Sequence, residues 1–127
     1  MDVEDFARRY TAAWCSGDPA SVAAFYASDG SLTINGGTPS VGRAGITEAA
    51  RGFMEAFPNM RVLMDGIRLG DEVVEYHWTL VGTNAETGNS VRISGYEQWT
   101  FGADGLVADS QGHYDAAEYD RQVAEGV

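Results

Sequence analysis

The sequence is poor in cysteine and in basic residues. Cys15 is the only cysteine, so no disulfide can form within the chain. A cysteine content this low is typical of proteins in a reducing cytoplasm, which is where we expect this protein. The chain has 8 basic residues against 19 acidic ones, which gives a formal net charge of -11. Such a charge repels nucleic-acid phosphates and anionic membranes, so neither is an expected partner.

Long apolar runs are missing as well. No stretch approaches the roughly 20 residues that cross a bilayer, and no basic segment followed by an apolar run indicates a secretory signal. The two histidines, His77 and His113, lie far apart, and no Cys/His spacing indicates a zinc site. Gly36-Gly37 lacks the lysine and the helix start of a phosphate-binding loop. We therefore expect no metal, no cofactor and no membrane.

The first half of the sequence has mostly helical periodicity. Apolar residues from Val3 to Trp14 follow the spacing of a one-sided helix, with Asp2 as a plausible N-cap. The pattern predicts a helix over 3–15, a second helix from Pro19 that Ser28-Asp29-Gly30 stops, a short strand over 31–35 and a third helix over 42–57.

After Pro58 the period changes from helical spacing to two. This change predicts strands over 60–69, 71–82, 90–101 and 106–114, followed by a short helix over 116–123. Turn signals at Gly70-Asp71 and Ala103-Asp104-Gly105 separate strands. A length of 127 residues is typical of a single domain. Helices on one face of a four-strand antiparallel meander make an α+β domain.

Several stretches, taken in order, carry a family resemblance. They are "RYTAAWCSGDPASVAAFYASDGSLTINGG", "GRAGI", "GDEVVEYHWTLVGTN", "GYEQWTFGADGLV" and the final Tyr114-Asp115. Together they resemble the ketosteroid isomerase-like and SnoaL-like proteins of the nuclear transport factor 2-like superfamily. The resemblance covers nearly all of residues 1–127. It implies a cone-shaped curved sheet around about three N-terminal helices, an apolar pocket open at one end, and a homodimer packed through the outer sheet faces.

The resemblance assigns oxyanion-binding roles to two residues. Tyr10 matches the tyrosine that donates a hydrogen bond to the substrate oxyanion in ketosteroid isomerases. Glu97 falls where those enzymes carry an aspartic acid that stays protonated because an apolar site raises its pKa. Glu97 also alternates with Trp99 and Phe101, so an inward-facing Glu97 would be desolvated and its pKa raised. The alternatives are a core role for Tyr10 and a solvent-exposed Glu97, or one paired with Arg92.

His77 and Asp115 are the candidates for moving a proton. The resemblance places Glu75, His77, Thr79 and Val81 toward the cavity, and histidine suits acid–base work near neutral pH. In SnoaL-like cyclases and limonene epoxide hydrolases an aspartate near Asp115 acts as acid or base. His77 could instead bond a neighbouring strand side chain, and Asp115 could cap the last helix. A strand bulge would reverse the face to which Asp115 points.

The sequence departs from both enzyme types. The general base of ketosteroid isomerases should fall at Ile34 or Asn35, and neither is a base. Asn35 could still position a water or a carbonyl group. For an epoxide hydrolase, Arg92 and Asp115 would supply two members of the Asp–Arg–Asp set, but no second aspartate stands near Arg92.

The expected function is cofactor-independent acid–base chemistry next to a carbonyl group of an apolar cyclic or polyketide-like molecule. Such chemistry gives isomerisation, cyclisation or dehydration. A non-catalytic small-ligand binder and a limonene-type epoxide hydrolase are the alternatives. The residues expected to bind the substrate, as the wall of the pocket, are Trp14, Asn35, Phe53, Phe57, Trp99, Phe101 and Tyr114.

Overall fold

The computed structural model describes residues 1–127 as four helices and six strands. In chain order these are α1 (Val3–Cys15), α2 (Pro19–Ala23), β1 (Tyr26–Ile34), β2 (Ser40–Val41), α3 (Gly42–Ala56), β3 (Arg61–Leu69), β4 (Val74–Thr83), β5 (Ser90–Phe101), β6 (Val107–Tyr114) and α4 (Ala116–Glu125). None of the helices is both long and apolar enough to span a membrane.

The strands form one curved, unclosed sheet in the order β2-β1-β6-β5-β4-β3. Strands β3 to β6 are antiparallel neighbours in chain order, which confirms the predicted meander. Strand β1 lies parallel to β6, a pairing that the local sequence pattern does not specify. The fold is the expected α+β arrangement, with the helices enclosed by the curved sheet.

Helix α1 is built as the sequence predicts and lies against the inner face of the sheet. The carboxylate of Asp2 accepts a hydrogen bond from the Asp5 amide at 3.1 Å, which satisfies one free N–H of the first turn. Phe6, Ala7, Tyr10 and Ala13 recur at helical spacing and are buried. This stripe carries Tyr10 into the centre of the core, where it has no exposed surface.

The region between the first two helices and the sheet differs from the prediction. Helix α2 ends at Ala23, and Ser28-Asp29-Gly30 lies within β1 instead of ending a helix. The register between β1 and β6 shifts between Tyr26 and Ser31, so the three residues form an irregularity in the strand. A Cβ at Gly30 would lie 2.8 Å from the carbonyl oxygen of Val107, so the close approach of β6 requires glycine there.

Candidate functional site

Glu97 lies in the middle of strand β5 and faces the interior. It pairs with Tyr76 on β4 and with Gly112 on β6, and only 7% of its surface is exposed. Trp99, two residues further on the same face, is fully buried. The period of two therefore places the carboxyl on the aromatic side of the strand, as the sequence predicted.

One oxygen of this carboxyl is surrounded by donors from four elements of the fold, one helix and three strands. Oε1 accepts hydrogen bonds from Ser110 Oγ at 2.8 Å, Trp99 Nε1 at 2.9 Å and Tyr10 Oη at 3.0 Å. Tyr26 Oη donates from 3.3 Å. The other oxygen, Oε2, has a single longer contact, with Tyr10 Oη at 3.2 Å. Oε2 is therefore the oxygen with hydrogen-bonding capacity left for a ligand.

Burial raises the pKa of Glu97 above its ordinary value of 4.5. The hydrogen bonds from Trp99, Ser110, Tyr10 and Tyr26 act in the opposite direction, because they favour the ionised form. Burial is the larger effect, since no cationic side chain bonds the carboxyl. The site therefore holds a carboxyl that keeps its proton to a higher pH than a surface glutamate.

Two neutral phenols donate hydrogen bonds to the carboxyl. The hydroxyls of Tyr10 and Tyr26 lie 2.9 Å apart, and both reach Glu97. Burial, followed by the charge of Glu97, raises the pKa of each phenol well above 10.0. Both tyrosines therefore stay neutral and act as donors. Because neither residue lines the cavity described next, their contact with a ligand would run through Glu97.

A narrow cavity of about 60 Å³ lies in front of Glu97. Its wall is apolar and largely aromatic, and Glu97 contributes the only carboxyl. The lining residues are Trp14, Leu32, Ile34, Phe53, Val62, Tyr76, Trp78, Leu80, Ile93, Glu97, Gly112, Tyr114 and Tyr119. The phenols of Tyr114 and Tyr119 have pKa values raised by partial burial, so they too are neutral.

Trp78 supplies an unpaired polar group near this wall. Its indole Nε1 is the only buried side-chain nitrogen or oxygen of the protein that has no hydrogen-bond partner. An unpaired buried donor costs roughly 1–3 kcal/mol. The ring lies over Gly95 on β5, where a Cβ would come within 2.7 Å of Trp78 Cζ2. Glycine at position 95 thus gives the indole its place beside the cavity.

Some of the predicted wall residues line the cavity and others do not. Trp14, Phe53 and Tyr114 belong to its wall. Phe57 and Trp99 are buried in the core, and Phe101 packs edge-on against Trp99. Asn35 is exposed, and its side-chain oxygen accepts a hydrogen bond from the Tyr114 amide at 2.9 Å. Asn35 therefore forms a hydrogen bond with the end of β6 and does not line the cavity.

The expected orientation of His77 is wrong. On β4, Tyr76, Trp78 and Leu80 line the cavity, so the alternate residues Glu75 and His77 point to the outer face of the sheet. His77 Nε2 lies 3.0 Å from Glu75 Oε1, and its ring stacks on Tyr96 at 5.3 Å. The assignment failed because both sets of strand β4 contain residues that suit an interior, and parity alone does not identify the inward set.

Asp115 takes the alternative position considered for it. It is the N-cap of α4 and accepts a hydrogen bond from the Glu118 amide at 3.1 Å. The residue is exposed and does not line the cavity. His113 points to the outer face, where its Nε2 lies 2.9 Å from Gln98 Oε1. Arg92 is also exposed, and its amide donates to Gln122 Oε1, so the site holds no Arg–Asp pair.

The position expected for the isomerase base carries an apolar side chain in the cavity wall. Ile34 lines the cavity directly. The cavity therefore has an isoleucine where ketosteroid isomerases are expected to carry their general base. The lining residues that sequence reasoning missed include Tyr76, Trp78 and Tyr119. The alternation of β4 contains the signal for the first two, and Tyr119 lies on the helical tail that returns over the cavity.

The comparisons with known proteins agree with this fold. The family model of the SnoaL-like domain matches residues 7–110. A protein with a ketosteroid isomerase-like fold from Catenulispora acidiphila, solved with trimethylamine, has 15% identity and a TM-score of 0.82, covering 91% of this chain and 88% of its own. AclR, a candidate hydroxylase from Streptomyces galilaeus, has 18% identity and a TM-score of 0.80, covering 96% and 95%.

A candidate SnoaL-like polyketide cyclase from Jannaschia sp. CCS1 is similar over the whole chain. It has 14% identity and a TM-score of 0.79, covering 100% of this chain and 97% of its own. At such identities these structures show the fold alone. No curated protein matches the sequence. Because the family model spans most of the sequence, the chain belongs to the SnoaL-like domain family.

Proposed function

We propose that this SnoaL-like protein binds a small apolar carbonyl compound, cyclic or polyketide-like, and that Glu97 moves a proton next to the carbonyl group. One observation carries the proposal: a buried carboxyl with a raised pKa forms part of an apolar cavity wall. A titratable group with such a perturbation inside a cavity is a candidate for acid–base catalysis.

The proposed proton transfer begins with the ionised carboxyl. Oε2 of Glu97 takes a proton from the carbon next to the carbonyl, which leaves a neutral carboxylic acid and an enolate. The acid exchanges this proton with solvent while the enolate is bound, then gives a proton to the same carbon or to a conjugated one, and the carboxylate is regenerated. Because its pKa is raised, the ionised carboxyl is a stronger base than a surface glutamate.

The remaining groups have supporting roles in this proposal. Trp78 Nε1 is the unpaired donor beside the cavity, and it would hold the carbonyl oxygen as negative charge develops there. Tyr10, Trp99 and Ser110 fix Oε1 and so orient Oε2. Tyr10 is thus a positioning residue. His77 and Asp115 have no role in the step, since neither lines the cavity.

Hydrogen exchange in heavy water tests the proposal. We expect the protein to accelerate deuterium incorporation next to the carbonyl of 2-decalone, and the Glu97→Gln variant to lose this acceleration. Glu75→Gln is the matched control, because Glu75 lies on the same sheet but contacts His77 on the outer face. Exchange at the buffer rate with the wild-type protein, or equal rates with Glu97→Gln, would contradict the proposal.

The second candidate is a non-catalytic binder of small ligands. It is favoured by the lack of a second acid–base group beside Glu97 in the cavity wall, where Ile34 occupies the position expected for the base. An aromatic wall with one carboxyl also suits a small amine cation, and the similar protein from Catenulispora acidiphila was solved with trimethylamine. Trimethylamine that binds the wild type and Glu75→Gln but not Glu97→Gln, without any exchange activity, would favour this candidate.

Pairing of two copies through the outer sheet face stays a prediction. That face carries Tyr96 between the rings of His77 and His113, with centroid distances of 5.3 and 4.9 Å. Sedimentation of the wild-type protein and a Tyr96→Glu variant tests it. A dimer that the added charge dissociates is expected, and a wild-type monomer at micromolar concentration would contradict it.

A further inference from the structure

Trp14 is the one residue shared by two separate spaces of the molecule. On one side it lines the narrow cavity in front of Glu97. On the other it lines a second depression of about 220 Å³, formed with Cys15, Ser16, Gly17, Met54, Phe57, Pro58 and Met60. Trp14 therefore lies at the boundary between the cavity and the second depression.

The volumes of the two spaces limit the size of ligand that the cavity alone can hold. The cavity in front of Glu97 has a volume of about 60 Å³. Sites for drug-sized ligands have volumes of about 300–1,000 Å³. The two spaces joined would approach the lower end of that range. A ligand with two fused rings therefore needs space beyond the cavity, and the second depression borders the cavity at Trp14, the residue that the two spaces share.

Trp14 is also placed where a side chain can move. It is the penultimate residue of α1, it is partly exposed, and the chain continues through Ser16 and Gly17, both exposed. Its ring makes edge-on contacts with Tyr10 at 6.4 Å and Phe53 at 6.1 Å. Wall residues such as Tyr76, Leu80 and Ile93 are instead buried in the middle of paired strands.

We infer that Trp14 determines the size of the ligand that this protein accepts, by closing the cavity against the second depression and turning aside for a larger ring system. The inference rests on the proposed function only in that the ligand occupies the cavity in front of Glu97. The carbonyl end of the ligand would lie near Glu97, and its far end would pass the position of the indole and reach the second depression beside Cys15.

Binding of a small and a large ketone tests the inference. Dissociation constants of cyclopentanone and 2-decalone are measured from the indole N–H signals in NMR spectra. In Trp14→Ala we expect the preference for 2-decalone over cyclopentanone to rise at least tenfold, and in Trp14→Phe by a smaller factor. Ile34→Val is the control, because Ile34 lines the cavity in front of Glu97 and not the second depression. An unchanged preference in both Trp14 variants, or an equal rise in Ile34→Val, would overturn the inference.

Cys15, the only thiol of the chain, reports on the second depression. In the wild-type protein, saturating 2-decalone should slow alkylation of Cys15 by iodoacetamide at least threefold, while cyclopentanone should leave the rate unchanged. Bound 2-decalone that leaves the alkylation rate unchanged would place the ligand elsewhere and overturn the inference.

Decalin, which lacks the carbonyl group, separates this inference from the proposed function. If Glu97 has no part in binding or exchange, the Trp14 variants should still favour decalin over cyclopentane. A size preference for decalin that all variants share with the wild type would instead overturn the role of Trp14, whatever the result for Glu97.

Discussion

The hydroxyl of Tyr10 lies 3.0 Å from Oε1 of Glu97, although 87 residues separate the two in sequence. Helix α1 brings the phenol to the centre of the sheet, and the alternation of β5 brings the carboxyl to the same point. The contact joins the first helix to the site that we propose for chemistry. It also lowers the pKa of a carboxyl that burial raises.

Tyr10→Phe should therefore raise the pKa of Glu97 further, because the variant removes one of the donors that favour the ionised form. Loss of the hydrogen bond should also reduce the free energy of unfolding by about 1 kcal/mol. Urea unfolding and the pH midpoint of deuterium exchange measure the two effects. Tyr96→Phe, on the outer face, is the control, and an unchanged midpoint in Tyr10→Phe would contradict the positioning role.

Glu97 should give the stability of the protein a specific pH dependence. Its pKa in the folded state is raised above 4.5, so the folded state holds this proton more firmly than the unfolded state. The resulting stabilisation is complete below the unfolded pKa and is lost as the pH rises through the folded pKa. Urea unfolding between pH 4 and 8 should show the wild type losing stability relative to Glu97→Gln. If the free energy of unfolding of the wild type instead rises with pH relative to this variant, the prediction is contradicted.

The N-cap position of Asp115 predicts a structural effect without a catalytic one. Asp115→Ala should lower the free energy of unfolding by about 1 kcal/mol, because the Glu118 amide loses its partner, whereas Asp115→Asn should retain most of the cap. Thermal unfolding measures both variants. Deuterium exchange in 2-decalone should continue at the wild-type rate in Asp115→Asn, and its loss from a folded variant would restore a catalytic role to this residue.

Gly95→Ala should disturb the indole of Trp78. The added methyl group would meet Trp78 Cζ2 at 2.7 Å and the carbonyl oxygen of His113 even more closely. Such overpacking typically costs about 1–3 kcal/mol, and the displaced ring should weaken ketone binding. Gly52→Ala is the control: nothing lies near its Cβ, and alanine in a helix should stabilise the fold by roughly 0.5–1 kcal/mol. Normal ketone binding by Gly95→Ala would contradict the placement of Trp78.

Local patterns predicted most of the fold. The periodicity of Val3 to Trp14 defined α1, and the change of period after Pro58 defined the meander from β3 to β6. The parallel pairing of β1 with β6 could not be predicted in this way, because it joins segments far apart in sequence. The turn signal at Ser28-Asp29-Gly30 was misleading, since Gly30 serves the close approach of Val107 rather than a chain reversal.

The site was predicted only where burial and alternation agree. Glu97 shares its face with Trp99, and Tyr10 belongs to the apolar stripe of α1, so both faced inward as expected. His77 lies on β4, where either of the two alternating sets of side chains could face the interior. Its orientation depends on which of these two sets the sheet buries. Asp115 depends on where β6 ends and α4 begins, a boundary that strand periodicity does not define.

The most direct test is the titration of the Glu97 side-chain carboxyl by ¹³C NMR, with and without 2-decalone. We predict a midpoint above 4.5 in the free protein, because burial outweighs the hydrogen bonds, and a further change in the midpoint when the ketone is bound. A midpoint at or below 4.5 that the ketone does not alter would contradict the proposal that Glu97 is a buried acid–base group in a ligand cavity.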